Sequence, residues 1–417
     1  MLSSTRSSAR RLPCLARSLT TDSTTANQTI PPPLPLSKPE TSKPRQSRLY
    51  PRPRPAIPHH HQALPTLPPT FGQNQVLRVP DSTRALLENI VGSFEAPIRY
   101  AFAYGSGVFD QAGYEKQKGS NDDRPMLDFI FAVTHSDHWH SINMQQHPGH
   151  YPLHARVLGS SFVSKVQELS PGLWFNTFVP MKGVTIKYGV TTVDTLCADL
   201  LNWRTLYLAG RMHKPLRIIK DDARVRLTQQ VNLTSALRTA LLMLPESFTQ
   251  RELFAAIAGI SYSGDPRMVL PAENRGKVEN MVSRQEEQFR ELYWRLAQGL
   301  PGVRWAASST KVEQDTSPHA RAAHLKKLPD ELLKHVHGRA EGRGPPREAD
   351  ESAYWLRVAG DKDLPAILNS EISKIVRYPA TAQSLKGIVS AGMAKSARYS
   401  VAKVSKWWKG RSSTSSS

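Results

Sequence analysis

The chain has 417 residues, room for two or three domains, but 32 of them are proline, many crowded near the start, so the folded part is shorter than the length implies. A formal net charge of +20 calls for an anionic partner: nucleic acid, an acidic membrane surface or a phosphorylated substrate. Two cysteines, Cys14 and Cys197, exclude a disulfide framework and a cysteine zinc site, and no run approaches the roughly 18 apolar residues of a spanning helix.

The first 21 residues carry Arg6, Arg10, Arg11 and Arg17, many Ser and Thr, and no acid. That is the composition of a mitochondrial transit peptide, assigned to residues 1–25; the alternative is a basic tail. Residues 26–75 are Pro-rich, with Pro31-Pro32-Pro33 and Pro51-Arg52-Pro53-Arg54-Pro55, and read as an extended linker in which His59, His60 and His61 have no fold to make them ligands.

Order is expected from about Val76. Asp81 to Phe94 has helical spacing, and Ile98 to Ala103 reads as a strand. Tyr104-Gly105-Ser106-Gly107 follows, a turn in which two glycines let the backbone bend sharply and bring N–H groups to an anion. Met126 to Val133 is an apolar strand holding one carboxylate, Asp128, which needs a partner because an unpaired buried charge is too costly to keep. Strand, Gly-Ser turn and acid-bearing strand form the plan of nucleotidyltransferases of the DNA polymerase β type, although each piece alone is common in ordinary loops and ion pairs.

Six histidines between His135 and His154 are irregularly spaced across Pro148 and Gly149, which favours loop and surface positions over a metal site. Leu173 to Val179 and Val184 to Val190 read as strands. The second carries Lys187, which either meets a bound phosphate or lies at an exposed edge. Thr192 to Leu208 is expected to be one helix ended by Gly210. Arg211-Met212-His213-Lys214-Pro215 is either an anion-binding loop or a solvated charge run. Residues 225–304 are expected to form a compact helical domain, with a capping box at Thr249 and Glu252, and 305–352 a flexible basic insertion.

Residues 353–411 close the chain with a helical region. No acid follows Glu371, while nine Lys or Arg lie between Lys374 and Arg411. Val389, Met393, Ala397, Val401, Val404 and Trp408 share a broad helical face opposite Lys395, Arg398, Lys406 and Lys409; Lys386 and Lys403 break the pattern. Such a helix, with Trp407 and Trp408 near its end, suits an anionic membrane surface, the alternative being packing on the protein's own core.

In order, Tyr104-Gly105-Ser106-Gly107-Val108-Phe109, Asp128-Phe129-Ile130-Phe131, Trp139-His140-Ser141-x-Asn143, His150-Tyr151, Ile186-Lys187-Tyr188-Gly189-Val190, Ala209-Gly210-Arg211-Met212-His213-Lys214-Pro215 and Lys386-Gly387-Ile388-Val389-Ser390-Ala391-Gly392 closely resemble the mitochondrial translocator assembly and maintenance protein family. That family is the mitochondrial phosphatidate cytidylyltransferase, or CDP-diacylglycerol synthase. The likeness covers about residues 95–300 and 370–405.

The resemblance implies an α+β architecture: a DNA polymerase β-type nucleotidyltransferase domain at 76–224, a small winged-helix-like domain at 225–304, and a C-terminal amphipathic helix. It implies CTP and phosphatidic acid as substrates, Mg²⁺ as cofactor, no nucleic-acid partner, and a peripheral place on the matrix side of the mitochondrial inner membrane, supplying cardiolipin synthesis. Asp128 and Lys187 would be catalytic, Asp128 holding Mg²⁺; Gly105, Ser106, Gly107, Lys187 and Tyr188 would bind nucleotide. Arg211, His213 and Lys214 would meet phosphates of either substrate. A second metal ligand is unassigned, Asp110 and Asp199 being candidates. Rival readings are a mitochondrial nucleotidyltransferase acting on RNA and a non-enzymatic basic scaffold of the inner membrane.

Overall fold

A computed structural model of the chain describes residues 67–105, 107–109, 126–268, 276–341 and 350–412, with backbone alone at 340, 341, 389 and 391–412. The expected transit peptide, most of the linker, Ser106 and Asp110 lie outside the described residues. Of two units in the chain, Met1–Arg48 and Leu49–Ser417, all described residues belong to the second.

Helix α1 (Asp81–Gly92) leads into β1 (Tyr100–Tyr104) and β2 (Leu127–Val133). Then come α2 (Ser136–Gln146), α3 (Leu153–Glu168), β3 (Trp174–Met181), β4 (Val184–Thr192), α4 (Val193–Asn202) and β5 (Leu216–Lys220). The five strands form one mixed sheet in the order β3-β4-β2-β1-β5, with β2 and β4 parallel and the other neighbours antiparallel. β1 and β2 lie centrally and are almost wholly buried, which explains their near-continuous apolar sequences.

The register places Tyr104 opposite Asp128, and Asp128 opposite Lys187, so three functional side chains stand in one row across the sheet. Helix α4 is capped by Thr192, whose hydroxyl accepts from the Thr195 N–H at 3.1 Å. It ends at Trp203, in the left-handed region at φ 54°, and not near Leu208 as the periodicity suggests. The cause is Asp199. Its carboxylate accepts from the backbone N–H groups of Thr205 (2.8 Å), Leu206 (3.1 Å), Leu208 (3.0 Å) and Ala209 (3.0 Å), and from the Thr205 hydroxyl (2.9 Å). Those donors are pulled out of any helical ladder into a loop wrapped around the buried acid.

The long α5 (Ala223–Met243), capped by Asp222, runs to β6 (Ser247–Thr249), α6 (Gln250–Gly259), α7 (Lys277–Arg284) and α8 (Glu286–Gln298). The predicted capping box is present: Thr249 Oγ1 accepts from the Glu252 N–H, and Glu252 accepts from the Thr249 N–H at 2.7 Å. Such a cap stabilises a helix by about 1 kcal/mol. The expected insertion after residue 304 is instead built structure as far as residue 341. β7 (Val303–Arg304) and β8 (Lys311–Gln314) pair with β6 in a second sheet, followed by α9 (Pro318–Leu325) and α10 (Asp330–Glu341). Buried Trp305, Val312, Leu325, Leu332, Leu333 and Val336 supply the apolar surface that holds this polar-looking segment in place.

Helix α11 (Glu351–Gly360) precedes α12 (Leu364–Ser412). The first part of α12 buries Leu364, Ile367, Leu368, Ile372, Ile375, Val376 and Ala380, a stripe at helical spacing. Farther on, Lys386 is buried, and its Nζ donates to the carbonyls of Gln167 (3.2 Å) and Leu169 (2.7 Å) at the end of α3. A cation on the last carbonyls of a helix meets its unsatisfied acceptors and the negative end of its dipole. Lys386 interrupts the amphipathic pattern because it is a fastening of α12 to α3.

Candidate active site

β2 offers Asp128 to the sheet face occupied by Lys187 of β4, and Lys187 Nζ lies 3.6 Å from Asp128 Oδ1. Both side chains are partly open, Asp128 30% and Lys187 22% exposed. Phe175 of β3 passes beneath the lysine, its ring centroid 4.4 Å from Nζ. A Cβ at Gly189 would meet the Phe175 ring at 2.7 Å and Ile130 at 2.8 Å, so a glycine in β4 lets this ring close in.

Gly105 takes φ 90°, a conformation that side-chain-bearing residues rarely adopt, and Val108 and Phe109 bury themselves to anchor the turn. A Cβ on Gly105 would lie 3.5 Å from Asp128 Oδ2, so the glycine turn stands directly beside the carboxylate. Gly107 lies in the same turn.

Tyr188 faces the other way, as strand alternation requires. It is fully buried, its hydroxyl accepting from Asn143 Nδ2 (2.9 Å) and lying 2.8 Å from His150 Nδ1. Asn143 also donates to the Tyr151 hydroxyl at 2.9 Å, and His140 joins Tyr151 and Gln167, each at 2.8 Å. Tyr188 therefore belongs to a polar network on the face of the sheet opposite Lys187. Two of the six clustered histidines, His140 and His150, are tied into that network instead of ornamenting a loop. Burial pushes His140 down to about 4, so it is a neutral ring.

On the open face, Tyr104 links the acid to a second group of charges. Burial and then Asp128 raise its phenol, against the opposing influence of Arg211 and Lys187. The Arg211 guanidinium stacks 3.8 Å from the Tyr207 ring centroid, lies 6.0 Å from that of Tyr104, and donates to the Tyr207 carbonyl at 2.5 Å. Lys214 Nζ donates to Ser261 Oγ at 2.6 Å and sits 4.1 Å from the Tyr262 ring centroid. The loop carrying both is fixed from behind. Asn232 Nδ2 donates to the Ala209 carbonyl (3.1 Å), Gln229 to that of Met212 (2.6 Å) and the Tyr293 hydroxyl to that of His213 (2.7 Å). Gly210 permits the loop's close approach to the turn after α6, because a Cβ there would lie 2.3 Å from that of Ser261.

His213 is part of this anchoring. Its ring is wholly buried beside Trp203, 2.9 Å from Asn232 Oδ1, and burial pushes it down to about 3. Of the expected trio, Arg211 and Lys214 are partly exposed and His213 is turned into the core. Asp199 leaves the list of metal ligands for a similar reason: both oxygens are engaged by the loop's N–H groups. Among the described residues, no group of three or more His, Cys, Asp and Glu side chains could hold a metal ion. Among the described residues, Asp128 offers a carboxylate oxygen beside the glycine turn, a donor of the kind Mg²⁺ takes together with phosphates and water.

Sequence reasoning missed Tyr104, Tyr207, Ser261 and Tyr262 as site-forming groups. Their signal was weak, since aromatic supports for cations are brought together only by tertiary packing.

Fold and site define an α+β protein that sets one carboxylate and its lysine beside a field of supported cations. Residues 87–406 match the family model described as mitochondrial phosphatidate cytidylyltransferase, and the chain belongs to that family. A relative of that name from Xenopus laevis is 41% identical over 334 residues, covering 79% of this chain and 96% of its own. Those from Danio rerio (40% over 324 residues, covering 77% and 94%) and Schizosaccharomyces pombe (38% over 345 residues, covering 80% and 86%) carry the same name.

Proposed function

We propose that the chain transfers the cytidylyl group of CTP to phosphatidic acid, giving CDP-diacylglycerol and pyrophosphate for mitochondrial cardiolipin synthesis. The observation that carries this reading for the chain's own residues is the Asp128–Lys187 pair standing beside the Gly105 turn. The lipid phosphate attacks the α-phosphorus of CTP and the bond to the bridging oxygen of the β-phosphate breaks. The nucleophile is already anionic near neutral pH, so catalysis rests on alignment and charge neutralisation more than on a general base.

In this reading, the glycine turn at Gly105 and Gly107 receives the triphosphate and Lys187 neutralises it. Asp128 is the residue that would hold Mg²⁺, which would supply Lewis-acid neutralisation of charge on the triphosphate. The site-bearing sheet serves as the nucleotidyltransferase domain. The succession α5, β6, α6, α7, α8, β7, β8, with its terminal hairpin, supports a winged-helix-like second domain that extends to Gln314.

The end of α12 carries Lys395, Arg398, Lys406, Trp407, Trp408 and Lys409, whose side chains lie outside the described ones. Its basic sequence supports docking on anionic lipid of the inner membrane, from the matrix side. No described helix is long and apolar enough to cross a membrane. Purified protein incubated with α-labelled CTP, Mg²⁺ and phosphatidate vesicles is expected to move label into the lipid. Label entering added RNA, with none in lipid, would overturn the reading.

A further inference from the structure

Arg211 and Lys214 do not stand alone. The segment after α6 brings up Asp265 and Arg267, and α7 begins with Lys277. Arg267 grips the buried Asp265 in a fork, Nε to Oδ1 at 3.0 Å and Nη2 to Oδ2 at 2.6 Å. Lys277 Nζ lies 5.5 Å from the centroid of Tyr262, the ring that also carries Lys214. Asp265 is the carboxylate that acts on Lys214, while Arg211, Lys277 and Arg267 all oppose its charge. Burial and those three cations together hold the ammonium well below the ordinary lysine range. Folding has gathered Arg211, Lys214 and Arg267 about Asp265 and set Lys277 beside Lys214 at Tyr262, an arrangement whose mutual repulsion an arriving anion relieves.

We propose that Arg211, Lys214, Arg267 and Lys277 form the seat of the acceptor's phosphomonoester headgroup, separate from the triphosphate position at Gly105, Asp128 and Lys187. This rests on the nucleotide reading given above. Tyr104 joins the two sites: it precedes Gly105 in the chain, pairs with Asp128 across the sheet and has Arg211 near its ring. A phosphomonoester carries up to two negative charges on three terminal oxygens, which suits several converging donors; a phosphodiester headgroup carries one charge on two.

The chemistry balances without an added base. One oxygen of the dianionic headgroup forms the new bond to the α-phosphorus, and pyrophosphate leaves with the electron pair of the broken bond. Charge is conserved between CTP with phosphatidate and CDP-diacylglycerol with pyrophosphate.

The test is a kinetic split with phosphatidate in mixed vesicles. Lys277→Gln is expected to raise the KM for phosphatidate about tenfold, the size of one lost charge-assisted bond, and to leave the KM for CTP within about twofold. Lys277→Arg restores most of the loss. A rise in the KM for CTP alone would mean that the cluster holds the triphosphate's tail, and no change in either KM would remove Lys277 from the seat; both outcomes overturn the proposal. A second measurement needs no variant: glycerol 3-phosphate should inhibit the wild-type enzyme competitively against phosphatidate and not against CTP, and the reverse pattern refutes the assignment. Failure of the underlying nucleotide reading has a different mark, full turnover by Asp128→Asn.

Discussion

Lys187 and Asp128 occupy directly paired positions on two parallel strands, and their side chains meet at 3.6 Å on the open face of the sheet. At an effective dielectric of about 20 their gross attraction is roughly 4–5 kcal/mol, most of it offset by partial desolvation. The pair is therefore a weak source of stability and an effective way to hold two charged groups beside the Gly105 turn. Lys187→Gln should lower kcat by about 10²-fold through lost phosphate neutralisation. The thermal midpoint should move by only a few degrees. Steady-state rates with calorimetry check this, and unfolding that explains the whole loss would contradict it.

Asp199 makes the opposite prediction. Five donors converge on a carboxylate that is almost fully buried. Asn at that position would turn an NH₂ group toward N–H groups of the loop. The expected cost is about 2–4 kcal/mol in denaturant unfolding. A variant of unchanged stability with weakened metal dependence would restore Asp199 as a ligand.

Gly210→Ala should destabilise by about 1–3 kcal/mol, because its Cβ would press on Ser261 and lie 2.5 Å from the Leu206 carbonyl. Ser261 is the partner of Lys214, so the KM for phosphatidate should rise as well. Thermal unfolding together with vesicle kinetics reads both effects.

Lys386 gives a pH signature. Burial pushes its ammonium from 10.5 down to about 8 in the folded chain. Between those values the unfolded chain binds more protons, so this residue's contribution to stability becomes more favourable as pH rises from about 8 to 10.5 and is constant below that window. The stability difference between wild type and Lys386→Met, measured by urea unfolding across that range, should climb with pH. A flat difference would mean that the lysine is not buried against the end of α3.

Much of this was legible in the chain itself. The apolar run around Asp128, the need for glycine at position 105 and the Thr249 capping box are local features, and local physics identifies them. The pairing of Asp128 with Lys187 was not legible, because parallel register is decided across more than fifty residues of intervening chain. Strand alternation alone separates Tyr188 from Lys187, and the structure places them on opposite faces of β4. The inward turn of His213 was not legible, because nothing in Arg211-Met212-His213-Lys214 tells which side chains the loop turns inward; Asn232 of α5 and Trp203 at the end of α4 enclose it. The segment after residue 304 looked loose because its charges outnumber its apolar residues, yet Leu328, Leu332, Leu333 and Val336 are spaced to cover one helical face.

The most direct test compares wild type and Asp128→Asn for transfer of label from α-labelled CTP to phosphatidate vesicles, with far-UV circular dichroism confirming an intact fold. Loss of transfer by at least about 10³-fold in a folded protein is the expected result. Transfer at the wild-type rate would contradict the assignment of this carboxylate to the reaction.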